Sequence, residues 1–130
     1  MQRVIIMSGL PGSGKTWKRE NTPALAGLAH LDIADVYTSL PHSSWSEVMS
    51  AFIVSLHKLL RESDTVVVEG LFLAESTTRA WLLREIRSIG AVVEEFYMNT
   101  PVETCRERVL LQNNSRQGVR LRLLDKLGGA

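Results

Sequence analysis

The segment GLPGSGKT, Gly9 to Thr16, follows the apolar run VIIM and restricts the chain more than any other stretch. Three glycines, a proline, a lysine and a hydroxyl fall within eight positions. Glycines let a backbone turn with positive φ and bring its N–H groups up to an anion with no side chain in the way. Pro11 stiffens one φ. Gly9, four intervening residues and then Gly14-Lys15-Thr16 match the phosphate-loop pattern in full. Gly9, Leu10, Pro11, Gly12, Ser13, Gly14, Lys15 and Thr16 are therefore the candidate nucleotide contacts. A helix starting near Gly14 would turn its positive end toward the same anion. Lys15 is the residue to neutralise β- and γ-phosphate oxygens, and the Thr16 hydroxyl is a candidate ligand of Mg²⁺.

Around this loop, segments of strand and helix periodicity alternate. RVIIMS reads as a buried strand stopped by Gly9. A short helix follows Gly14 and must end before Pro23. LAHLDIA is the second strand. Ser44 and Glu47 have the spacing of a capping box and open a helix whose apolar face carries Trp45, Val48, Met49, Phe52, Ile53, Leu56, Leu59 and Leu60. TVVVEG is the third strand. The pattern predicts a helix over Ser76–Ile89 closed by Gly90, and AVVEEFYM as the fourth strand. Thr100, Pro101 and Glu103 mark a further helix start as cap, first-turn proline and box partner. QNNSRQG breaks the chain before a last basic helix, VRLRLLDKL. Strands alternating with helices predict an α/β fold with a parallel sheet of about four strands. Ligands of such sheets bind at the carboxyl ends of the strands, where Gly9, Asp35 and Glu69 should lie.

The bulk numbers exclude several function classes. At 130 residues the chain reads as one domain, residues 1–130, with no linker or repeat. A formal charge of +1 gives no whole-surface field for nucleic acid or membrane. The single cysteine, Cys105, allows no internal disulfide or metal cluster and reads as a buried thiol on a helix. His30, His42 and His57 have no metal-ligand spacing. No apolar run reaches the length of a membrane span and the start lacks a secretory pattern, which points to the cytoplasm. No Asn-Lys-x-Asp segment is present to read guanine, and motors or transporter ATPases need longer chains. Oligomeric state is left open.

VIIMSGLPGSGKTWKRE, LDIADVY, VVVEGLFL with TTRAW, and TPVETCRER resemble, in order and spacing, the small P-loop kinases built like phage polynucleotide 5′-hydroxyl kinase. These stand beside the zeta-toxin and gluconate-kinase-like proteins. The resemblance covers nearly the whole chain, with the loop as its one highly specific motif. It implies a P-loop NTP hydrolase fold, ATP as phosphoryl donor, Mg²⁺ on Thr16 and Glu69, and a helical lid at about residues 106–120. It also implies that Asp35 accepts the proton of the attacking hydroxyl, and that a lid arginine, Arg108 or Arg116, steadies the transferring group. The implied acceptor is a nucleic-acid 5′-hydroxyl or another nucleotide-borne hydroxyl. A small-molecule kinase and a weakly catalytic nucleotide-binding module are the alternatives.

Three departures from the family pattern stand out. The third strand ends in EGLF where an Asp followed by Thr or Asn is common, Gln112 stands where a second lid arginine would suit, and a fifth strand is not expected within the chain. Asp32, within the second-strand pattern, is a further candidate as an acceptor contact or secondary base. Arg120 and Arg122 read as a solvated helix face, and Trp17 as core.

Overall fold

The computed structural model describes residues 2–10, 12–40, 42–70, 76–112 and 117–128. In chain order these are β1 (Arg3–Gly9), α1 (Lys15–Asn21), α2 (Pro23–Ala26), β2 (Ala29–Asp32), α3 (Ile33–Ser39), α4 (Trp45–Glu62), β3 (Thr65–Glu69), α5 (Ser76–Ile89), β4 (Val92–Met98), α6 (Val102–Leu111) and α7 (Gln117–Gly128). The four strands form one parallel sheet in the order β2-β3-β1-β4. This is the α/β architecture expected from the alternation of periodicities.

The central strands are apolar on both faces because both faces are covered. On one face Val4, Ile6, Val66 and Val68 pack against Phe52 and Leu56 of α4 and Leu82 and Ile86 of α5. On the other, Ile5, Met7 and Val67 pack against Leu25 of α2. Each large side chain buried here contributes about 1.5–3 kcal/mol relative to its exposed state. The Ser44–Glu47 capping box is present in both directions at the start of α4. The fourth strand differs from its neighbours. β4 is an edge strand and alternates only weakly, leaving Val92, Phe96 and Tyr97 exposed.

Two helices were not legible in the sequence, α2, which starts at the Pro23 expected only to end α1, and α3. The second strand stops at Asp32 instead of running through Ile33 and Ala34. The Asp32 carboxylate accepts a hydrogen bond from the Ala34 N–H at 2.7 Å and caps α3, so the chain turns from strand to helix within one residue. Gly70 makes that turn possible. A Cβ on residue 70 would lie 2.0 Å from Ile33 Cγ2, and Ile33 is fully buried. Ile33 is β-branched and held in the core, so it has no route of escape. Gly70→Ala is expected to destabilise the fold by about 1–3 kcal/mol, measured as a drop in the urea midpoint. An unchanged midpoint would mean that α3 does not bear on the end of β3.

Candidate active site

β1 ends at Gly9 and α1 begins at Lys15, so the glycine-rich loop crosses the carboxyl edge of the sheet. Gly12 and Gly14 take φ values of 79° and 93°, which other residues adopt only at a cost. A Cβ on Gly12 would also stand 2.5 Å from the Cys105 carbonyl oxygen, so the loop lies against α6 only because residue 12 lacks a side chain. Leu10 anchors the loop in a small cluster with Cys105, Val109 and Leu124. The Thr100 hydroxyl donates to the Ser13 carbonyl at 2.7 Å, and Arg108 Nη1 donates to the Gly12 carbonyl at 3.2 Å. The expected role of Thr100 as a helix cap is thereby corrected. α6 starts one residue later than expected: Pro101 is the cap residue and not a first-turn proline, it has no N–H for Glu103 to accept in a capping box, and the Thr100 hydroxyl is taken by the loop.

Lys15 is only 8% exposed. Burial pushes its pKa below the ordinary lysine value, against the opposing pull of the Glu69 and Asp32 carboxylates; Arg120 adds to the lowering by like-charge repulsion. Lys15, Thr16, Trp17, Arg108, Leu111 and Arg120 line one cleft of about 860 Å³. Two of these depart from the expectation. Trp17 is 69% exposed and not core, because the first turn of α1 points it into the cleft. Arg120 is turned into the cleft and hydrogen-bonds Gln112, whereas Arg122 is exposed as expected. The packing of α7 on α6 sets which of the two arginines faces the loop, and periodicity alone cannot choose between them. Arg116 and Pro11 lie outside the described residues.

Beneath α1 lies an acidic group that the cleft adjoins. Asp32 and Glu69 are register partners at the ends of β2 and β3, and His30 precedes Asp32 by two on the same strand face. Glu69 is 1% exposed. The His30 imidazole sits against it, with Nε2 2.9 Å from Oε1, and Arg19 Nε stands 3.7 Å from the same oxygen. Burial alone would raise the Glu69 carboxyl. His30, Arg19 and Lys15 outweigh it and hold the group below the ordinary glutamate value. Asp32 goes the other way: burial raises it, with Glu69 and Asp35 adding repulsion against the Ala34 N–H bond. Thr16 Oγ1 donates to Glu69 Oε1 at 3.4 Å, and Glu69 Oε2 is buried with no hydrogen-bond partner among the described residues. A buried, ionised oxygen without a partner beside a hydroxyl fits a hydrated Mg²⁺. Asp35 is exposed in the first turn of α3, three residues beyond Asp32 and close enough to act on it. His30 and Arg19 escaped sequence reasoning because Glu69 is far from both along the chain. The one available signal was a histidine inside an apolar strand pattern.

No protein-family model matches the chain, and no curated protein sequence matches it. Solved structures do. A chain of the Pnkp1/Rnl/Hen1 RNA repair complex superposes with a TM-score of 0.66 at 16% identity, over 98% of this chain and 44% of that one. The tunicamycin resistance protein of Deinococcus radiodurans gives 0.66 at 17% identity, over 99% and 82%. The APS kinase CysC of Mycobacterium tuberculosis, solved with AMPPNP and APS, gives 0.61 at 19% identity, over 93% and 73%. The chain has the P-loop kinase fold. It spans less than half the length of the RNA repair chain. Among the described residues no helix is long and apolar enough to cross a membrane.

Proposed function

We propose that the chain is an ATP-dependent kinase that moves the γ-phosphoryl group to a hydroxyl. The observation that carries this reading is the convergence of Lys15, Arg108 and Arg120 on one cleft beside the paired carboxylates of buried Glu69 and half-buried Asp32. Phosphoryl transfer needs positioning and positive charge around the equatorial oxygens more than covalent help. Lys15 and the loop bind the β- and γ-phosphates, and Arg108 and Arg120 carry charge to the outer side. Residues at about 106–120 act as the lid. Thr16 and Glu69 would hold Mg²⁺, which supplies further neutralisation of phosphate charge when bound.

Asp35 orients the acceptor. As the acceptor oxygen bonds to phosphorus, its proton passes to the Asp35 carboxylate, the bond from the γ-phosphorus to the bridging oxygen breaks, and ADP leaves with that electron pair. The RNA repair relative and the exposed indole of Trp17 on the cleft wall together favour a base-bearing acceptor, a nucleic-acid 5′-hydroxyl or a nucleotide-borne hydroxyl. An exposed aromatic ring offers a stacking platform to any nucleobase.

Transfer of labelled γ-phosphate from ATP to a panel of oligonucleotide 5′-hydroxyls, nucleosides, sugars and amino acid derivatives tests the reading. Label on an oligonucleotide or nucleotide acceptor supports it. Label only on sugars would reassign the acceptor, and hydrolysis or binding without any transfer would leave a nucleotide-binding module. In the same assay Asp35→Asn should keep ATP affinity within a few-fold and lower transfer by at least ~10², the scale of a lost general base. Near-normal transfer would move the proton-accepting role to Asp32.

A further inference from the structure

We infer that His30, Asp32 and Glu69 form a site for a first-row divalent transition cation such as Mn²⁺, held by the protein before any nucleotide arrives. This goes beyond the kinase reading, in which the cation belongs to the nucleotide phosphates, Thr16 and Glu69; Glu69 is the residue the two readings share, and His30 and Asp32 are new to this one. One ligand atom from each of the three residues lies within 4.8 Å of the others. Backbone geometry brings them together. His30 and Asp32 are two apart on β2, and Asp32 is in register with Glu69 on β3, so the three side chains emerge on one face of the sheet.

Two buried polar atoms point to a ligand. Glu69 is almost wholly buried, yet its Oε2 has no hydrogen-bond partner among the described residues. His30 Nε2 is also buried and makes no hydrogen bond within geometric limits, although it stands 2.9 Å from Glu69 Oε1. A histidine kept in the core for structure donates its ring proton to an acceptor on its axis. At 2.9 Å this nitrogen and oxygen also have the separation of neighbouring ligands on one cation. Arg19, with Nε 3.7 Å from Oε1, is too distant to satisfy the carboxylate by hydrogen bonding.

The ligand chemistry selects the ion. One imidazole nitrogen with two carboxylates suits Mn²⁺, Fe²⁺ or Zn²⁺, whereas Mg²⁺ prefers oxygen alone and keeps its waters. The Asp32 carboxylate already caps α3 through one oxygen, so the cation would be seated against a rigid helix start.

Titrating the full chain with Mn²⁺ in the absence of nucleotide, followed by electron paramagnetic resonance, tests this. One bound Mn²⁺ with ¹⁴N coupling from a single imidazole is expected. His30→Phe should abolish the coupling and weaken binding tenfold or more, and His30→Gln, which keeps polarity and approximate size, should lose the coupling as well. Far-UV circular dichroism and the thermal midpoint establish that each variant is folded. If His30→Phe does not fold, His30→Gln decides alone. No binding without nucleotide, or binding with no nitrogen coupling, would overturn the site. The Lys15→Ala variant separates this from the kinase reading, because it should lose phosphoryl transfer and keep the nucleotide-free Mn²⁺ signal. Transfer without that signal sinks the cation site alone, and the signal without transfer sinks the kinase reading alone.

Discussion

Lys15→Ala is expected to lower phosphoryl transfer by on the order of 10³-fold or more, and to weaken ATP binding, while the chain remains folded. The amine lies at the base of the cleft, 8% exposed, where water screens it little. A charge in such a place acts on phosphate oxygens far more strongly than an exposed lysine would. The fold should survive for a related reason. Burial already disfavours the charged amine, so its removal relieves a desolvation cost, while Glu69 and Asp32 lose an attractive neighbour. The two effects oppose each other, and the thermal midpoint should stay near that of the unsubstituted chain. Transfer at the unsubstituted rate would rule out the proposed mechanism. A collapse of the fold would instead make Lys15 a structural residue.

The second large effect is expected from the arginines, and they should separate. Arg120→Ala should lower kcat by about 10³-fold with little change in the ATP KM, the pattern of an interaction made mainly in the transition state. Arg120 faces the cleft and stands near enough to Lys15 to depress its pKa. Two cations turned toward each other across a cleft provide a natural seat for an anion. Arg108 is held differently, because its guanidinium donates to the Gly12 carbonyl and so braces the loop. Arg108→Ala should raise the ATP KM more than it lowers kcat. Steady-state kinetics on the two variants tests the division. If Arg120→Ala keeps kcat within about tenfold, the transition-state role passes to Arg108 or to Arg116.

The legible features of the sequence were those that depend on near neighbours. The glycine loop declared itself because its residues act as one local turn. The capping box at Ser44 and Glu47 lies within a single helical turn, and it formed as read. The strands VIIM and VVVE were readable because a strand covered on both faces needs continuous apolar residues. Errors arose where a side chain had a choice of partners. Thr100 had the sequence of a helix cap and instead holds the Ser13 carbonyl, an acceptor 87 residues away. Asp32 stood in a strand pattern and instead ends the strand, because the Ala34 N–H needed an acceptor. Trp17 carried the hydrophobicity of a core residue, but the short α1 turns it outward into the cleft.

The sequence by itself determined the alternating α/β order and the glycine-rich loop between β1 and α1, since periodicity and local turn chemistry act over a few residues. Tertiary structure alone decided that His30, Asp32 and Glu69 share one face, that Arg19 reaches Glu69, and that Arg120 and not Arg122 enters the cleft. Those outcomes depend on strand register and on the rotation of one helix against another. Both are set by packing between segments distant in the chain: a register slip of one residue would turn the strand side chains to the opposite face of the sheet, and a one-residue shift would rotate the helix side chains by about 100°.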